Sequence, residues 1–371
     1  MRFVRGSDTG KGLELVALAC GLALLAFAQK KDETQTLQLP RDLPVTVEGD
    51  PRRLTFLVSP LSSKGLLSRQ VRDALSALSR QAKGDPILKI RAFVAGSGDA
   101  RRVRDLVSEV FTERKQPLPA LSLVQAGGLP LEGAQVVLEG IAAGKKEVNP
   151  QGLAFISAQT ESAADPSEPV APLAARSLGA LRQAVKAAGS EPPDVTRISC
   201  FFSSLEGLAA TRQLVTAEYP AAAADYVQTQ RGPKRAVVAC EAVARLRGST
   251  GTRLRLLNPE GLRPEPGASQ IALVASPKVV LTGTQVSFGY EEKDARLAFQ
   301  RLAKALEQAG VTTRDVAFAD FYPLAAGIAG QVRQVRGEFF DETRPPASSL
   351  LLFEGLPSMN AGFAMDVVAV K

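Results

Sequence analysis

The residues that most often perform enzyme chemistry are scarce in this 371-residue chain. It contains no histidine, which removes the commonest general base, the commonest metal ligand and every serine–histidine or cysteine–histidine nucleophile. Outside an N-terminal apolar run, the cysteines are Cys200 and Cys240, each in a strand-like apolar segment. Two thiols without histidine partners are too few for a structural zinc site, so we expect neither a metal nor a cofactor.

Two interpretations of Cys200 and Cys240 stay open at this stage. A disulfide is permitted if the protein is exported to an oxidising compartment. Buried free thiols fit as well, because cysteine is among the most buried residue types.

The N-terminus has the pattern of an export signal. Basic residues precede an apolar run from Leu15 to Ala28, which is too short for a comfortable membrane span. Ala26 and Ala28 are small residues at the two positions that a signal peptidase recognises. We predict that residues 1–28 are a signal peptide cleaved after Ala28 and that the protein is periplasmic or secreted. The alternative is an uncleaved N-terminal membrane anchor.

The basic residues do not form a nucleic-acid footprint. The formal net charge is +7, but lysine and arginine are scattered, and the densest clusters are RRVR at 101–104 and RGPKR at 231–235. Binding to phosphate backbones usually needs a basic stripe with aromatic or helical readers. We therefore expect no nucleic-acid partner, and no membrane contact beyond the signal or anchor.

Four kinds of segment occur in the same order three times, at intervals of roughly 100 to 125 residues. The first is an apolar strand that ends in a small hydroxylated residue, at Ser59, Ser157 and Thr282. The second is an amphipathic helix closed by a glycine, at Gly84, Gly189 and Gly310. The third is another helix, and the fourth is a pair of apolar strands around a proline turn.

This repetition predicts the domain organisation. We expect an N-terminal segment at 29–49, repeats at 50–147, 148–247 and 270–371, and a linker at 248–269, where glycine, proline and polar residues accumulate. Each repeat contains a strand, a helix, a strand, a helix and two strands, which is an α+β pattern. Amphipathic helices of this kind should cover one face of a sheet and leave the other face in need of a partner.

The repeats carry motifs of a known family. The second contains GLAFISAQ at 152–159, LGALRQAVKAAGSEPPDVTRISCFF at 178–202 and AVVACEAVA at 236–244. The third contains VVLTGTQ and PPASSLLLFEGLP, and the first contains PLPALSLVQAGGLPLEGAQVVLEGIA. In these motifs each repeat resembles the Rid family, also called YjgF-like or endoribonuclease L-PSP, and the resemblance extends from about residue 50 to 371.

The resemblance implies a particular architecture. Rid proteins form homotrimers in which three sheets pack face to face and small-molecule clefts lie between neighbours. Three tandem Rid-like (Bacillus chorismate mutase-like) units in one chain imply an intramolecular pseudo-trimer, with the sheets inside and the helices outside. Such a chain would be self-contained and monomeric, and its three clefts could diverge from one another.

The resemblance also implies which chemistry is missing. The family's deaminases hydrolyse enamines and imines with an arginine that clamps the substrate carboxylate and a glutamate that handles a water. The arginine position is held here by Leu121, Ala224 and Ser348. The glutamate position is held by Val137, Ala239 and Ala364. We therefore expect no catalytic residue in any of the three clefts.

Polar residues remain that could line a cleft and bind a ligand. A second acidic position of the family's closing strand is kept as Glu139, Glu241 and Asp366. The other candidates are Gln125, Ser157, Gln159, Gln228, Thr282 and Gly283. The function expected is binding of a small ligand or a protein partner by an exported, catalytically degenerate protein. One alternative is a divergent deaminase or other small-molecule hydrolase, with active residues such as Arg231, Lys234 or Arg235. The other is a purely structural interaction module.

Overall fold

Residues 40–95, 99–165, 168–231 and 235–371 are described by a computed structural model of the chain. The predicted signal peptide, up to Ala28, lies outside these residues. Pro40–Lys371 form one compact unit. Among the described residues, no helix has the length and apolar content needed to cross a membrane.

A short strand, β1 (Thr46–Gly49), precedes the segment that forms the first sheet and is not part of that sheet. Its strands are β2 (Leu54–Val58), β3 (Ile87–Ala95), β4 (Ala120–Ala126) and β5 (Val136–Ala143). The helices between them are α1 (Leu67–Gln81) and α2 (Ala100–Glu113). The strand order is β2-β5-β3-β4, in which β3 is antiparallel to β5 and parallel to β4.

The second sheet has six strands. They are β6 (Leu153–Ser162), β7 (Val195–Phe202), β8 (Ala223–Gln228), β9 (Val237–Arg245), β10 (Leu254–Leu257) and β11 (Ile271–Val274). The helices of this part are α3 (Val170–Ala187) and α4 (Leu208–Glu218). The strand order is β10-β11-β6-β9-β7-β8.

The third sheet also has six strands, including β1 from the start of the described chain. The others are β12 (Val279–Thr282), β13 (Gln285–Phe288), β14 (Val316–Pro323), β15 (Ala347–Leu350) and β16 (Ala361–Val370). The helices are α5 (Glu292–Gln308) and α6 (Ala326–Phe339). The order is β1-β12-β16-β14-β15, and β13 also pairs with β16.

The three sheets share a four-stranded core with one connectivity. The orders β2-β5-β3-β4, β6-β9-β7-β8 and β12-β16-β14-β15 correspond strand for strand, and in each a parallel edge strand follows the second helix. The prediction of a mixed α+β fold is confirmed. Four further strands add to these cores: β13, which pairs with β16; β1 from 29–49; β10 from the predicted linker; and β11, which lies inside 270–371 yet pairs with β6.

The helices bury one apolar stripe against the outer face of each sheet. In α1 the buried residues Val71, Leu75 and Leu78 follow the helical spacing of three and four. Two of the glycine stops in the sequence adopt the left-handed conformation that ends a helix, with φ of 76° at Gly189 and 77° at Gly310. Separate apolar clusters lie between the helices and each of the three sheets.

The inner faces of the sheets pack against one another. Phe93 on β3, Phe201 on β7 and Phe353 after β15 meet with ring centroids 5.7 to 5.9 Å apart. A second shared cluster contains Phe155 on β6 and Phe318 on β14. Apolar side chains of all three sheets therefore form a common interior.

A disulfide joins Cys200 to Cys240. The two residues are directly opposite each other on the antiparallel strands β7 and β9, with Cα atoms 4.2 Å apart. Both side chains are buried under α3 and α4, in the apolar cluster of the second sheet. The sequence leaves open whether these cysteines are free thiols or a disulfide, and the structure shows a disulfide.

Reducing this disulfide should destabilise the fold. It closes a loop across 40 residues of sequence, and constraint of the unfolded chain by a loop of that size contributes about 2 to 4 kcal/mol. Denaturant unfolding with and without reductant, under conditions where mass spectrometry shows the bond to be broken, measures the difference. The double variant Cys200→Ala/Cys240→Ala is the control, since reductant should not change its stability. Equal stability of the oxidised and reduced wild-type protein would contradict the prediction.

Candidate functional site

The last strand of each four-stranded core presents an acid between two apolar residues on its inner face. Because side chains alternate along a strand, residues two apart point the same way. The three sets are Val137, Glu139 and Ile141 on β5; Ala239, Glu241 and Val243 on β9; and Ala364, Asp366 and Val368 on β16. The apolar members join the two shared clusters, so the acids lie between those clusters, in the interior.

Arg91 on β3 is the cation that brings the acids together. Its Nε and Nη2 donate to both oxygens of Glu139 at 2.7 and 2.8 Å, and Nη2 also donates to Oε1 of Glu241 at 2.7 Å. Its Nη1 donates to Oδ2 of Asp320 on β14 at 3.0 Å. One guanidinium, only 3% exposed, therefore bonds to carboxylates from all three sheets.

Two further cations complete this interior. Arg197 on β7 donates to Oε1 of Glu241 at 3.0 Å and approaches Glu139 at 3.5 Å. Lys89 on β3 pairs with Asp366, whose other oxygen accepts a hydrogen bond of 2.9 Å from the hydroxyl of Tyr322. We call the buried set the central polar layer: Lys89, Arg91, Glu139, Arg197, Ser199, Asp225, Glu241, Asp320, Ser349 and Asp366.

Two serines add neutral donors to the central polar layer. Ser199 Oγ donates to Oε1 of Glu139 at 2.7 Å, and Ser349 Oγ donates to Oε2 of Glu241 at 2.5 Å. These bonds also cross between sheets, because Ser199 lies on β7 and Ser349 on β15. The layer is thus a network in which each sheet supplies partners to another.

The pKa values of the acids in the central polar layer depend on burial and on the neighbouring charges. Burial favours the neutral form of Glu139, but the charges of Arg91 and Arg197 outweigh it and lower the pKa of that carboxyl to about 2. Burial, with the charge of Glu241 added, raises the pKa of Asp320 well above its usual range. Burial and the charge of Glu139 do the same to the pKa of Asp225.

Burial thus favours the neutral forms of Asp225 and Asp320. The three cations pair with Glu139, Glu241 and Asp366. Lys89, Arg91, Glu139 and Asp366 line a cavity of about 20 Å³, the size of one or two water molecules. The acids predicted as cleft residues therefore lie in a filled interior, where they hold the sheets together and have no room for a substrate.

Larger cavities lie at the three places where the opening strand of one sheet meets the edge strand of another. Cleft A is formed by β4 and the β12–β13 corner, where Thr284 N donates to the carbonyl of Leu121 at 3.0 Å. Its volume is about 460 Å³. Apolar side chains including Leu121 and Phe288 line it, Gly283 forms part of its wall, and Arg101 and Arg104 of α2 stand at its edge.

Cleft B lies between β6 and β15 and has a volume of about 300 Å³. Ser157, Gln159 and Ser348 line it, and Ser348 N donates to Oγ of Ser157 at 2.9 Å. Residues 261–265 of the predicted linker contribute to the wall. Gln159 donates to Oε1 of Gln270 at 2.9 Å, so this amide is already engaged within the protein.

Cleft C lies between β2 and β8 and has a volume of about 460 Å³. Its walls include Ser59 and Val137 of the first sheet, and Ala224 and Asp225 of β8. Arg212 of α4 also borders it, with its guanidinium over the ring of Tyr226 at 5.3 Å.

The residues that the sequence resemblance matches to the family's arginine and glutamate positions are uncharged. Leu121, Ala224 and Ser348, at the arginine position, line clefts A, C and B respectively. The glutamate position is filled by three buried apolar residues of one shared cluster, namely Val137, Ala239 and Ala364. No group of acids, histidines or cysteines in the described part of the chain could hold a metal ion.

Three other predicted residues take part in contacts within the fold. Gln125 pairs through its backbone with Gly355, which joins the first and third sheets. Gln228 pairs through its backbone with Gly128, and its amide donates to the carbonyl of Ser203 at 3.0 Å. Thr282 is fully buried, and its hydroxyl accepts a hydrogen bond from Val367 N at 2.9 Å.

The sequence interpretation missed the cations of the central polar layer and also Asp225. Lys89, Arg91 and Arg197 lie in apolar segments in which the sequence analysis predicts no site residue. These residues could have been recognised as charged residues at inward-facing positions of otherwise apolar strands. A charge buried in this way requires a partner.

Removing Arg91 should destabilise the fold strongly. In Arg91→Met three buried acids lose their common partner, and breaking a buried ion pair such as that with Glu139 costs about 3 to 5 kcal/mol. Denaturant unfolding near pH 7 measures the loss. The control is Arg296→Met, which removes a half-buried surface arginine paired with Glu292 and Glu338 and should change stability far less.

The effect of Arg91→Met should depend on pH with a defined sign. In the wild-type protein the folded pKa of Glu139, about 2, lies below the ordinary value of 4.5, so its ionisation stabilises the fold above pH 4.5. That contribution disappears as the pH falls from 4.5 towards 2. The difference in unfolding free energy between wild type and variant should shrink over the same interval. A difference independent of pH, or one that grows in acid, would contradict this assignment.

Comparison with known proteins adds a likeness of fold. No protein-family model and no curated protein matches the chain. Solved structures similar to it include a Rid-family protein of unknown function from Yersinia pestis, with 20% identity over 32% of this chain and 100% of that one, and a TM-score of 0.31. A YjgF-family protein from Mycobacterium tuberculosis has 18% identity over 32% of this chain and 99% of that one, with a TM-score of 0.24. A putative endoribonuclease from Thermotoga maritima has 22% identity over 31% of this chain and 91% of that one, also with a TM-score of 0.24.

Proposed function

We propose that this chain is an exported, tandem Rid-like protein that binds small molecules in clefts between its sheets and does not perform the family's deaminase chemistry. The observation that carries the proposal is the loss of charge at the same two positions of every unit. A bidentate carboxylate grip needs a guanidinium, and proton transfer needs a positioned acid or base. Leu121, Ala224 and Ser348 cannot supply the first, and the three apolar residues at the glutamate position cannot supply the second.

The proposed architecture is an intramolecular pseudo-trimer. It is supported by the shared strand order of the three sheets and by the apolar clusters to which all of them contribute. Clefts A, B and C add to this support, because each joins the opening strand of one sheet to the edge strand of a different sheet. In this arrangement the chain supplies its own partners and needs no second copy.

Export is part of the proposal. It rests on the basic start and apolar run of the N-terminus, which predict a signal peptide or anchor. The Cys200–Cys240 disulfide supports it, since such bonds persist in oxidising compartments.

The clefts have the size and the lining of small-molecule sites. Volumes of about 300 to 460 Å³ fall in the range of pockets that hold small ligands. Cleft A combines leucine, valine and phenylalanine walls with two arginines and one acid, Arg101, Arg104 and Asp105, so its edge carries a net positive charge and suits an apolar ligand with an anionic end.

A protein partner is a second candidate, favoured by exposed apolar residues beside cleft A. Phe288 is 60% exposed and Met359 96% exposed, and Tyr290 contacts the carbonyl of Met359 through its hydroxyl at 2.9 Å. Exposed apolar groups that lie together often mark interaction sites.

The absence of deaminase chemistry is directly testable. Freshly generated 2-aminoacrylate or 2-iminopropionate should release ammonia at its spontaneous rate in the presence of the purified protein. The measurement is ammonia release with time over a range of protein concentrations. A rate that rises in proportion to protein and far exceeds the spontaneous rate would overturn the non-catalytic part of the proposal.

A bulky side chain at the edge of cleft A should block ligand binding there. Ser358 lies on the lining of that cleft and is half-buried, so Ser358→Trp should obstruct the cleft without disturbing the interior. The expected result is that apolar carboxylates raise the unfolding temperature of the variant less than that of the wild type. Ser249→Trp, at an exposed loop position, is the control and should behave as the wild type. Failure of every class in a small-molecule library to bind the wild type would refute the binding function.

A further inference from the structure

Each of the three clefts has an arginine from a helix in its wall. Arg104 of α2 lines cleft A, Arg333 of α6 lines cleft B and Arg212 of α4 lines cleft C. All three residues are exposed, so a molecule that enters a cleft can reach the guanidinium.

The three arginines occupy corresponding positions in the second helix that packs on each sheet. The segments VRDLVSEVF from Val103, TRQLVTAEY from Thr211 and VRQVRGEFF from Val332 align without a gap. In all three, the first, fifth and ninth residues are buried: Val103, Val107 and Phe111; Thr211, Val215 and Tyr219; Val332, Arg336 and Phe340. Because residues four apart share a helix face, this burial fixes the rotation of each helix on its sheet. The second residue, the arginine, therefore has the same place beside each sheet.

The arginine is the feature that these three segments share. It stands at the one position of the nine at which all three segments have the same residue. An exposed arginine on a helix is usually only solvated, but helices whose other residues differ have no packing reason to keep it. Each arginine also lines the same cleft as an uncharged residue that the resemblance matches to the family's arginine, namely Leu121, Ser348 or Ala224. Every cleft thus has a guanidinium, on a helix and not on the edge strand.

Cleft C offers its arginine most freely. The guanidinium of Arg212 lies over the ring of Tyr226 at 5.3 Å and forms no ion pair with any described residue. The other charged residue type in this wall is Asp225, whose carboxyl oxygens are buried within the central polar layer. Apolar side chains such as Val58 and Leu61 line the rest of the cleft. Its accessible surface therefore combines one positive charge with an apolar wall.

Cleft A also leaves its arginine available. The acid nearest to Arg104 is Asp42, at 3.7 Å between nitrogen and oxygen, and the Asp42 side chain is fully exposed, so water screens this pair. Arg101 pairs with Asp99 at 3.2 Å, and Asp105 also lies in the wall. A ligand anion can therefore compete for Arg104 against a weak, solvated partner.

Cleft B differs, because its arginine already has an acid of the same cleft as partner. Arg333 Nε lies 3.2 Å from Oε1 of Glu265, and both residues line the cleft. Glu265 belongs to the segment 248–269, which has no counterpart at the other two clefts. An anionic ligand would have to displace this carboxylate before it could reach the guanidinium.

We propose that the helix arginine binds the anionic end of a ligand in clefts A and C, with the apolar body of that ligand against the rest of the wall. The inference rests on the proposed ligand-binding function and names the binding residue, Arg104 or Arg212, and the ligand class, alkyl or aryl monoanions such as carboxylates. A guanidinium suits this role because it can form two parallel, charge-assisted hydrogen bonds with one oxyanion. In cleft B, Glu265 takes the place of the anionic end of the ligand.

The test is calorimetric titration of the full chain with sodium hexanoate near neutral pH, with hexan-1-ol and hexylammonium chloride as comparison ligands. We expect hexanoate to bind best and to occupy two sites. In Arg104→Gln and in Arg212→Gln the affinity of one site should fall about tenfold or more, because a charge-assisted, hydrogen-bonded pair is lost. Ser358→Trp, which obstructs cleft A, isolates the site in cleft C, and Arg212→Gln added to it should remove the remaining binding.

Arg182→Gln is the matched control. It removes an exposed arginine of α3 that pairs with Glu218 of α4 and lines none of clefts A, B and C. It changes the net charge by the same amount and should leave hexanoate binding unchanged. Thermal unfolding without ligand checks that each variant folds, as expected for substitutions of exposed residues. Glu265→Gln should release Arg333 and add a third hexanoate site.

Undiminished hexanoate binding in the double variant Arg104→Gln/Arg212→Gln would overturn the inference, as would binding of hexan-1-ol or hexylammonium that is as tight as that of hexanoate. Ligands still bind in either outcome, so the proposed function survives it. If no ligand of any class binds the wild type, both the proposed function and this inference fail. The absence of a third site in Glu265→Gln would overturn the role given to Glu265 in cleft B.

Discussion

The interior of this protein depends on one guanidinium. Arg91 bonds to Glu139 of its own sheet, to Glu241 of the second and to Asp320 of the third. A buried cation is costly unless its donors are satisfied, and here they are satisfied only when all three sheets are in place. A slip of one residue in any of those strands would turn its acid outward and an apolar face towards the charge. The layer thereby specifies how the sheets meet, while the apolar clusters on either side supply most of the burial.

A single chain can build an interior that three identical subunits cannot. Corresponding positions of the three sheets hold Arg91, Ser199 and Asp320, so a cation, a neutral group and an acid meet where a symmetric trimer would place three copies of one residue. Three arginines or three aspartates in that space would repel one another. Under the proposed three-unit arrangement, covalent linkage is what permits the difference. The same freedom explains why cleft C carries an acid where the corresponding strands carry serine.

Much of the fold could be predicted from the sequence because its signals are local. Apolar periodicity and the glycine stops at Gly189 and Gly310 place the helices, and alternation places the strands. The partners of the buried charges could not be predicted in the same way. Arg91 and Asp320 are separated by 229 residues, and the pairing exists only through contact between sheets. The role of the segment 248–269 was hidden for a similar reason, since β10 becomes a strand by pairing with β11.

The three clefts differ mainly in which segments outside the repeats reach them. Residues 43–45, just before β1, line cleft A, and residues 261–265 line cleft B, whereas the lining of cleft C comes from the first two repeats themselves. A segment that is free of the repeat pattern can change without altering a sheet, so clefts A and B can be reshaped by substitution in those segments. Cleft C can change only through residues of the sheets and helices. Its wall includes Asp225, a member of the central polar layer, so a change at that position also alters the buried polar contacts between the sheets.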